Sequence, residues 1–325
     1  MTALLKVENL ITEFGGGRGM SGLRAVNDVS FSLERGRVLG FVGESGSGKS
    51  VTGFSIMRLL EKPGRVAGGR IIFDGRDIAN CSDEEMRQLR GKRIAMVFQD
   101  PMMTLNPVLT VGTQMVEAVR AHDRVSKDEA RQRSRDALAL VGIPSPEERL
   151  SAYPHQFSGG MRQRVAIAIA LLHKPDLIIA DEPTTALDVT IQSQIISEFQ
   201  RLTEEANTAV IWITHDLAIV SRLADDIAVM YAGRLVETGP VTKVLTDPYH
   251  PYTAGLIASV PSQNRRGELL HQIRGMTPAI NRLPRGCSFR TRCDRTTEGC
   301  LVMPLLVPDE DRSFRCIHPV SKATA

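Results

Sequence analysis

The chain has 325 residues, with 40 lysines and arginines against 37 aspartates and glutamates, a net charge of +3. Its 42% apolar and 24% charged residues are the balance of a globular chain and exclude wholesale disorder. So small a positive excess excludes a polybasic nucleic-acid binder, and no apolar run approaches the ~18–20 residues needed to span a bilayer. At about 150 residues per domain the length suggests two domains. The first ten residues carry Lys6 and Glu8 and lack the apolar stretch of a secretion signal, so the chain is expected in the cytosol.

Residues 5–14 and 25–33 alternate apolar and polar side chains as half-exposed strands do, with a glycine-rich turn at 15–22 between them. Residues 37–42 read as a short buried strand running into a glycine loop and a helix that starts near Lys49. Residues 70–73 followed by Asp74-Gly75 suggest a strand and turn, and residues 94–98 a further strand. From about 101 to 173 the pattern is mostly helical, with segments at 111–122, 127–141 and 161–173. Residues 177–180 and 210–213 return as buried strands around a helix at 191–206. Strands alternating with helices imply a largely parallel sheet flanked by helices, with the helical stretch inserted into it. Past Val241 proline becomes frequent and periodicity fades, which suggests a second, smaller module over residues 241–325 after a first domain of 1–240.

Gly43-Glu44-Ser45-Gly46-Ser47-Gly48-Lys49-Ser50 matches the pattern G-x-x-x-x-G-K-[ST] between a strand and a helix. The glycines let successive N–H groups turn toward phosphate oxygens, and the helix start adds its partial positive charge. Lys49 is expected to reach the β- and γ-phosphates and the Ser50 hydroxyl to bind Mg²⁺. The buried run Leu177-Ile178-Ile179-Ala180 then carries Asp181 to a sheet edge, where it can hold the Mg²⁺ shell, and sets Glu182 to activate a water. Together these predict a nucleoside triphosphatase.

Ser158-Gly159-Gly160-Met161, followed by Arg162-Gln163-Arg164, resembles the signature sequence of the ABC ATPases. Gln99 resembles that family's Q-loop, Ala186-Leu187-Asp188 its D-loop and His215 its switch histidine, in family order across residues 5–235. The resemblance implies an α/β P-loop ABC ATPase with a mixed sheet core, an inserted helical subdomain and a small cysteine-containing C-terminal extension. It further implies ATP and Mg²⁺ as ligands, Phe14 as the adenine-stacking residue, and Ser50, Gln99 and Asp181 around the metal. Two such domains would face head to tail, each ATP lying between one phosphate loop and the other subunit's Ser158, Gly159, Gly160 and Asp188. Glu182 and His215 would orient the attacking water, and Gln99 would pass the change to the helical insertion. Met161 departs from the family's commonest glutamine.

Phe98-Gln99-Asp100-Pro101-Met102 through Leu105-Asn106-Pro107, and Tyr249-His250-Pro251-Tyr252-Thr253, resemble the dipeptide and oligopeptide importer ATPases, and the signature region their D-type subunit. That resemblance implies ATP-powered peptide import at the cytoplasmic face of the cell membrane. The implied partners are a paralogous ATPase (a homodimer being second choice), two membrane permease subunits and an external binding protein, and no nucleic acid. An exporter ATPase, or a soluble ABC ATPase acting on ribosome or DNA, is the alternative.

Four of the five cysteines, Cys287, Cys293, Cys300 and Cys316, fall in this extension with the spacing C-x5-C-x6-C-x15-C. From Ser262 onward there are 11 basic and 6 acidic residues. Four thiolates can complete a [4Fe–4S] cluster or a tetrahedral zinc, and no C-x2–4-C knuckle of the zinc kind is present. Arg285, Arg290, Arg292, Arg295 and Arg315 are placed to offset thiolate charge. An iron–sulfur cluster is the leading expectation, with zinc and unligated buried thiols as alternatives and His318 as a substitute ligand. Cys81 reads as a lone structural thiol.

Overall fold

The computed structural model describes residues 3–15, 22–185, 187–260 and 272–320, so most of the expected turn at 15–22, and Ala186, lie outside the described residues. The chain divides into two compact units, residues 1–33, 38–79 and 213–325 on one side and 34–37 and 80–212 on the other.

The chain begins with β1 (Leu5–Phe14), β2 (Leu23–Leu33), β3 (Val38–Val42), α1 (Lys49–Met57), β4 (Arg65–Phe73) and β5 (Arg76–Asp77). It continues through α2 (Asp83–Leu89), β6 (Ile94–Val97), α3 (Val111–His122), α4 (Lys127–Leu140), α5 (Pro146–Arg149), α6 (Gly159–Leu171) and β7 (Leu177–Asp181). After α7 (Val189–Ala206) and β8 (Ala209–Thr214) come α8 (Leu217–Leu223), β9 (Asp226–Tyr231), β10 (Arg234–Pro240) and α9 (Val241–Thr246). The tail adds α10 (Pro251–Ala258), β11 (Val307–Asp309) and β12 (Arg312–Phe314).

In the first unit β2-β1-β4-β5 form an antiparallel sheet, β1 pairing from Leu5↔Leu33 to Phe14↔Leu23 with β2. This is the antiparallel part of the mixed sheet core that the resemblance implies, and the strand and turn expected at residues 70–75 belong to it. A turn as short as Asp74-Gly75 can join only antiparallel neighbours, since a parallel pair needs a crossover of a dozen residues or more. The remaining strands of this unit run in the order β11-β12-β10-β9-β3, with β3 parallel to β9 and the others antiparallel. All five residues of β3 are buried, the mark of a strand covered on both faces. Neither β9 nor β10 is foreseen in the sequence reading.

Among the described residues, the large aromatic side chains of the tail join a core shared with the preceding strands. Tyr252 and Phe289 pack into one buried cluster with Val42, Val220, Val229, Tyr231, Val236 and Val244. Their rings meet Tyr231 at 4.6 and 5.3 Å between centroids, close enough for tilted and edge-on aromatic contact. β12 extends the sheet beside β10 through Glu237↔Phe314.

The second unit holds β8-β7-β6, with β6 parallel to β7 from Ile94↔Leu177. Its helical part packs on Leu105, Val111, Met115, Leu138, Ile143, Leu150, Phe157 and Val165. Each of the three longer helices there starts on a hydroxyl cap: Thr110 accepts from Thr113 N–H, Ser126 from Glu129 and Ser158 from Met161.

His250 is fully enclosed at the start of α10, where its Nδ1 accepts the Tyr252 N–H at 3.0 Å. Its own N–H and that of Tyr249 go to the buried Glu237 carboxylate, each at 2.8 Å. Burial lowers the His250 pKa from 6.5 to about 3, so the folded chain binds its proton less readily than the unfolded chain. Stability should therefore fall as pH drops below 6.5 toward 3, while Glu237, raised by burial, acts in the opposite sense. Urea midpoints at pH 7.5 and 5.5 should show the native chain losing about 1 kcal/mol more than His250→Gln; equal losses would contradict the assignment.

Candidate nucleotide-binding site

Residues 43–50 leave β3 against its neighbours with almost no clearance. Gly43 has φ +151°, and a Cβ there would lie 2.2 Å from Met230 O; at Gly48, φ +106°, it would lie 2.6 Å from Ala25 O. Both positions thus require glycine on conformational and steric grounds. The turn closes through Ser47 N–H to Glu44 O at 3.2 Å, and Gly233 N–H holds Ser47 O at 2.8 Å. Ser45 and Gly46 form the exposed tip, while the Ser47 hydroxyl is buried and lacks a hydrogen-bond partner among the described residues.

α1 starts directly from this loop. Its N-cap, Gly48, supplies no side-chain acceptor, and no acidic residue stands in its first turn. The positive end of the helix dipole is therefore left without a competing side chain, as an anion-binding start requires. Lys49, 6% exposed, folds back so that Nζ donates to Gly43 O at 2.8 Å and Glu44 O at 3.1 Å. Phe14 ends β1 half-buried, its ring against Gly64. His215 is exposed and lines a cavity of about 320 Å³ with Gly43, Leu217, Leu256, Ser259 and Val260. The end of α10 thus shares a wall with His215.

In the second unit β7 is buried along its whole length and carries Asp181, 3% exposed, to its end. Glu182 follows in the left-handed region at φ +45°, a costly conformation for a residue with a side chain. Its Oε2 accepts from Thr185 Oγ1 at 3.0 Å and from Gln99 Nε2 at 3.4 Å, so the structure brings Gln99 and Glu182 together. Gln163 Nε2 in turn donates to Phe98 O at 3.3 Å.

Ser158 caps α6, its Oγ accepting the Met161 N–H at 3.2 Å; a Cβ at Gly159 would meet open space, and one at Gly160 would touch Leu187. The Met161 side chain packs against the helical core while its backbone N–H holds the Ser158 cap. Asp188 caps α7 through Ile191 N–H at 3.0 Å.

Sequence reasoning misses three residues that touch the phosphate loop from the tail. Tyr252 Oη accepts the Glu44 N–H at 2.8 Å, and the Glu44 carboxylate takes Arg292 Nη1 at 2.6 Å, Arg292 Nη2 at 2.9 Å and the Thr277 hydroxyl. The bonds from Arg292 hold the Glu44 carboxyl below the usual carboxylate range despite partial burial. Arg292 is thus corrected from a neutraliser of thiolates to a partner of the loop. Arg315 likewise turns away, to Leu235 O, Pro304 O and Asp28.

Cys287, Cys293, Cys300 and Cys316 line one small cavity together with His250 and His318, and none forms a disulfide. Among the described residues, however, no group of three or more His, Cys, Asp or Glu is arranged to hold a metal ion. The expected ligand set is not supported. Burial raises the Cys287 and Cys293 thiols and pushes Cys316 up to about 11. His318 instead shares a hydrogen bond with Thr297 Oγ1 at 2.8 Å.

Comparison with known proteins agrees with this geometry. The ABC transporter family profile matches residues 26–185, and that of the oligopeptide/dipeptide transporter C-terminal region matches residues 236–300. The oligopeptide transport ATP-binding protein OppD of Escherichia coli is 47% identical over 321 residues, covering 98% of this chain and 94% of that one. The dipeptide transport ATP-binding protein DppD of Bacillus subtilis is 49% identical over 304 residues, covering 92% and 89%. Among solved structures, the dimeric post-hydrolysis state of the ATP-binding cassette MJ0796 bound to ADP and Pi aligns with a TM-score of 0.66 at 28% identity, over 73% of this chain and 98% of that one. With the loop, the β7 carboxylates and the capped glycine turn in place, the chain belongs to the ABC transporter ATP-binding proteins, in the oligopeptide/dipeptide branch.

Proposed function

We propose that the chain hydrolyses ATP to power import of di- or oligopeptides through a membrane complex. What carries this reading is the joint match of a nucleotide-binding region and a peptide-transporter tail in one chain, with 47% identity to a peptide importer subunit over nearly its whole length. The exporter, ribosome and DNA alternatives have no counterpart in that tail.

The triphosphate would lie on the N–H groups of residues 43–50 and the uncapped start of α1, with Lys49 leaving its two carbonyls for the β- and γ-phosphates. Ser50, Gln99 and Asp181 offer oxygen donors of the hard kind that suit Mg²⁺, which when bound neutralises phosphate charge. Glu182, oriented by Thr185 and Gln99, would accept the proton of the attacking water, with His215 aiding its placement. The turn at Ser158, Gly159 and Gly160, with Asp188, would serve the nucleotide of a second ATPase subunit, a paralogue in preference to another copy. Phe14 would stack on adenine. The division of labour falls near residue 240, the ATPase domain before it and the importer extension after it.

No helix among the described residues is long and apolar enough to cross a membrane. Attachment to the cytoplasmic face is therefore assigned to docking on permease subunits, which an external binding protein would supply with substrate. The metal reading of the four thiols rests on their donor chemistry and common cavity. Iron and acid-labile sulfide in anaerobically purified protein should be stoichiometric; zinc without iron, or neither metal, would refute the cluster.

Glu182→Gln should bind ATP within about threefold of the native chain while turnover falls by about 100-fold or more. Near-normal steady-state hydrolysis would remove Glu182 as the base. Lys49→Ala should weaken binding of a fluorescent ATP analogue by about tenfold or more, since phosphate contact is lost. ATP-dependent uptake of labelled peptides by proteoliposomes holding the full complex tests the cargo class, and hydrolysis with no peptide uptake would refute it.

A further inference from the structure

Glu44, the second residue of the phosphate loop, is held at every polar group by a defined partner. Its carbonyl receives Lys49 Nζ at 3.1 Å, its N–H goes to Tyr252 Oη at 2.8 Å, and its carboxylate receives both terminal nitrogens of Arg292 and the Thr277 hydroxyl. Three of these partners stand more than 200 residues later in the chain. The bidentate fork is the geometry in which an arginine fixes the orientation of a carboxylate as well as its position.

Arg292 is itself immobilised. Its side chain is 4% exposed, Nε donates to Arg274 O at 2.7 Å, Nη2 also reaches Gly275 O at 3.3 Å, and the guanidinium lies 5.8 Å from the ring centroids of Tyr231 and Phe289. Those rings belong to the cluster that also buries Tyr252. The clamp therefore stands on packed core, the condition for a positioning group to hold another within a fraction of an ångström.

The structure assigns Arg292 as a positioning residue for the phosphate loop: through Glu44 it fixes the carbonyl on which Lys49 rests and keeps the loop open for a triphosphate. This assignment rests on the reading of residues 43–50 as the ATP site. The tail thereby enters ATP affinity without touching the nucleotide. An unclamped loop samples conformations that cannot bind, so apparent affinity falls by the fraction that remain competent. Saturating ATP restores the bound loop, so the loss belongs to KM and not to kcat.

The test uses the full chain in its membrane complex, with KM and kcat for ATP and analogue titration read in parallel. Arg292→Ala and Glu44→Ala should each raise KM by about 5- to 20-fold with kcat within about twofold, and the double variant should raise it no further, because both remove one interaction. Arg292→Lys, which keeps the charge and loses the fork, should fall between native and Arg292→Ala. Tyr252→Phe should give a smaller rise. If Arg292→Ala does not fold, the last two variants decide. A general structural role would give additive effects or shift thermal midpoints with KM unchanged. Either result in folded Arg292→Lys and Tyr252→Phe, with Lys49→Ala still deficient in ATP binding, overturns the clamp and leaves the ATP site standing. Native ATP binding by Lys49→Ala would overturn the site reading, and the clamp with it.

Discussion

The structure depends on the absence of side-chain room where the chain leaves β3. Gly43 presses its backbone against Met230 O and Gly48 against Ala25 O, so the loop between them is moulded on β9 and β2. The loop is held from within as well, its Glu44 N–H on Tyr252 Oη and its Ser47 N–H on Glu44 O, and it runs directly into the start of α1, which has no side-chain cap. Behind the loop, β9 ends in Tyr231, whose packing is completed by Tyr252 and Phe289. The tail thus belongs to the support of the phosphate cradle as much as the strands do.

Charge follows the same construction. The Glu44 carboxylate is bonded by Arg292 and feels the ammonium charge of Lys49 as well, both of which favour its ionised form. A buried ion pair contributes little net stability, because desolvation offsets most of its attraction, and its better use is to specify one geometry among several. That matches its place here, on a loop whose function depends on the aim of its amides. If Lys49 moves to phosphate as proposed, Arg292 would still hold Glu44, so the carboxylate would stay paired and not repel the incoming triphosphate.

What the sequence displays is what local chemistry encodes. The glycine spacing of residues 43–50, the buried run into Asp181 and Glu182, the Ser158 cap and the helix Val111–His122 all appear where the pattern puts them. The antiparallel pairing of β1 with β2 and β4 is less visible, because period-two alternation fixes which face a side chain takes and says nothing of the neighbour's direction. β9 reads as a plain apolar run after a helix. The fork between Glu44 and Arg292 spans 248 residues and leaves no local trace; Arg292, lying beside Cys293, looks instead like a counter-charge for sulfur. Cysteine spacing supplies donor chemistry but not side-chain direction. The four thiols accordingly share a cavity without forming a ligand group among the described residues.

Three helix starts, α1 in the first unit and α6 and α7 in the second, differ in chemistry, and the difference divides their roles. α1 has no side-chain cap and no acidic residue in its first turn, so the positive end of its dipole is open to an anion. α7 is capped by Asp188, whose carboxylate satisfies Ile191 N–H and cancels the field there. α6 stands between them. Ser158 satisfies one donor without adding charge, and Gly159 leaves open space before the helix, so the end stays electropositive and accessible. Of the three, α1 and α6 keep a positive helix end for phosphate, whereas at α7 the Asp188 carboxylate offsets it. Under the head-to-tail arrangement proposed for the family, α1 would hold this chain's own nucleotide and α6 would complete the partner's. A neutral cap at α6 is what such sharing requires: a carboxylate there would repel the second γ-phosphate.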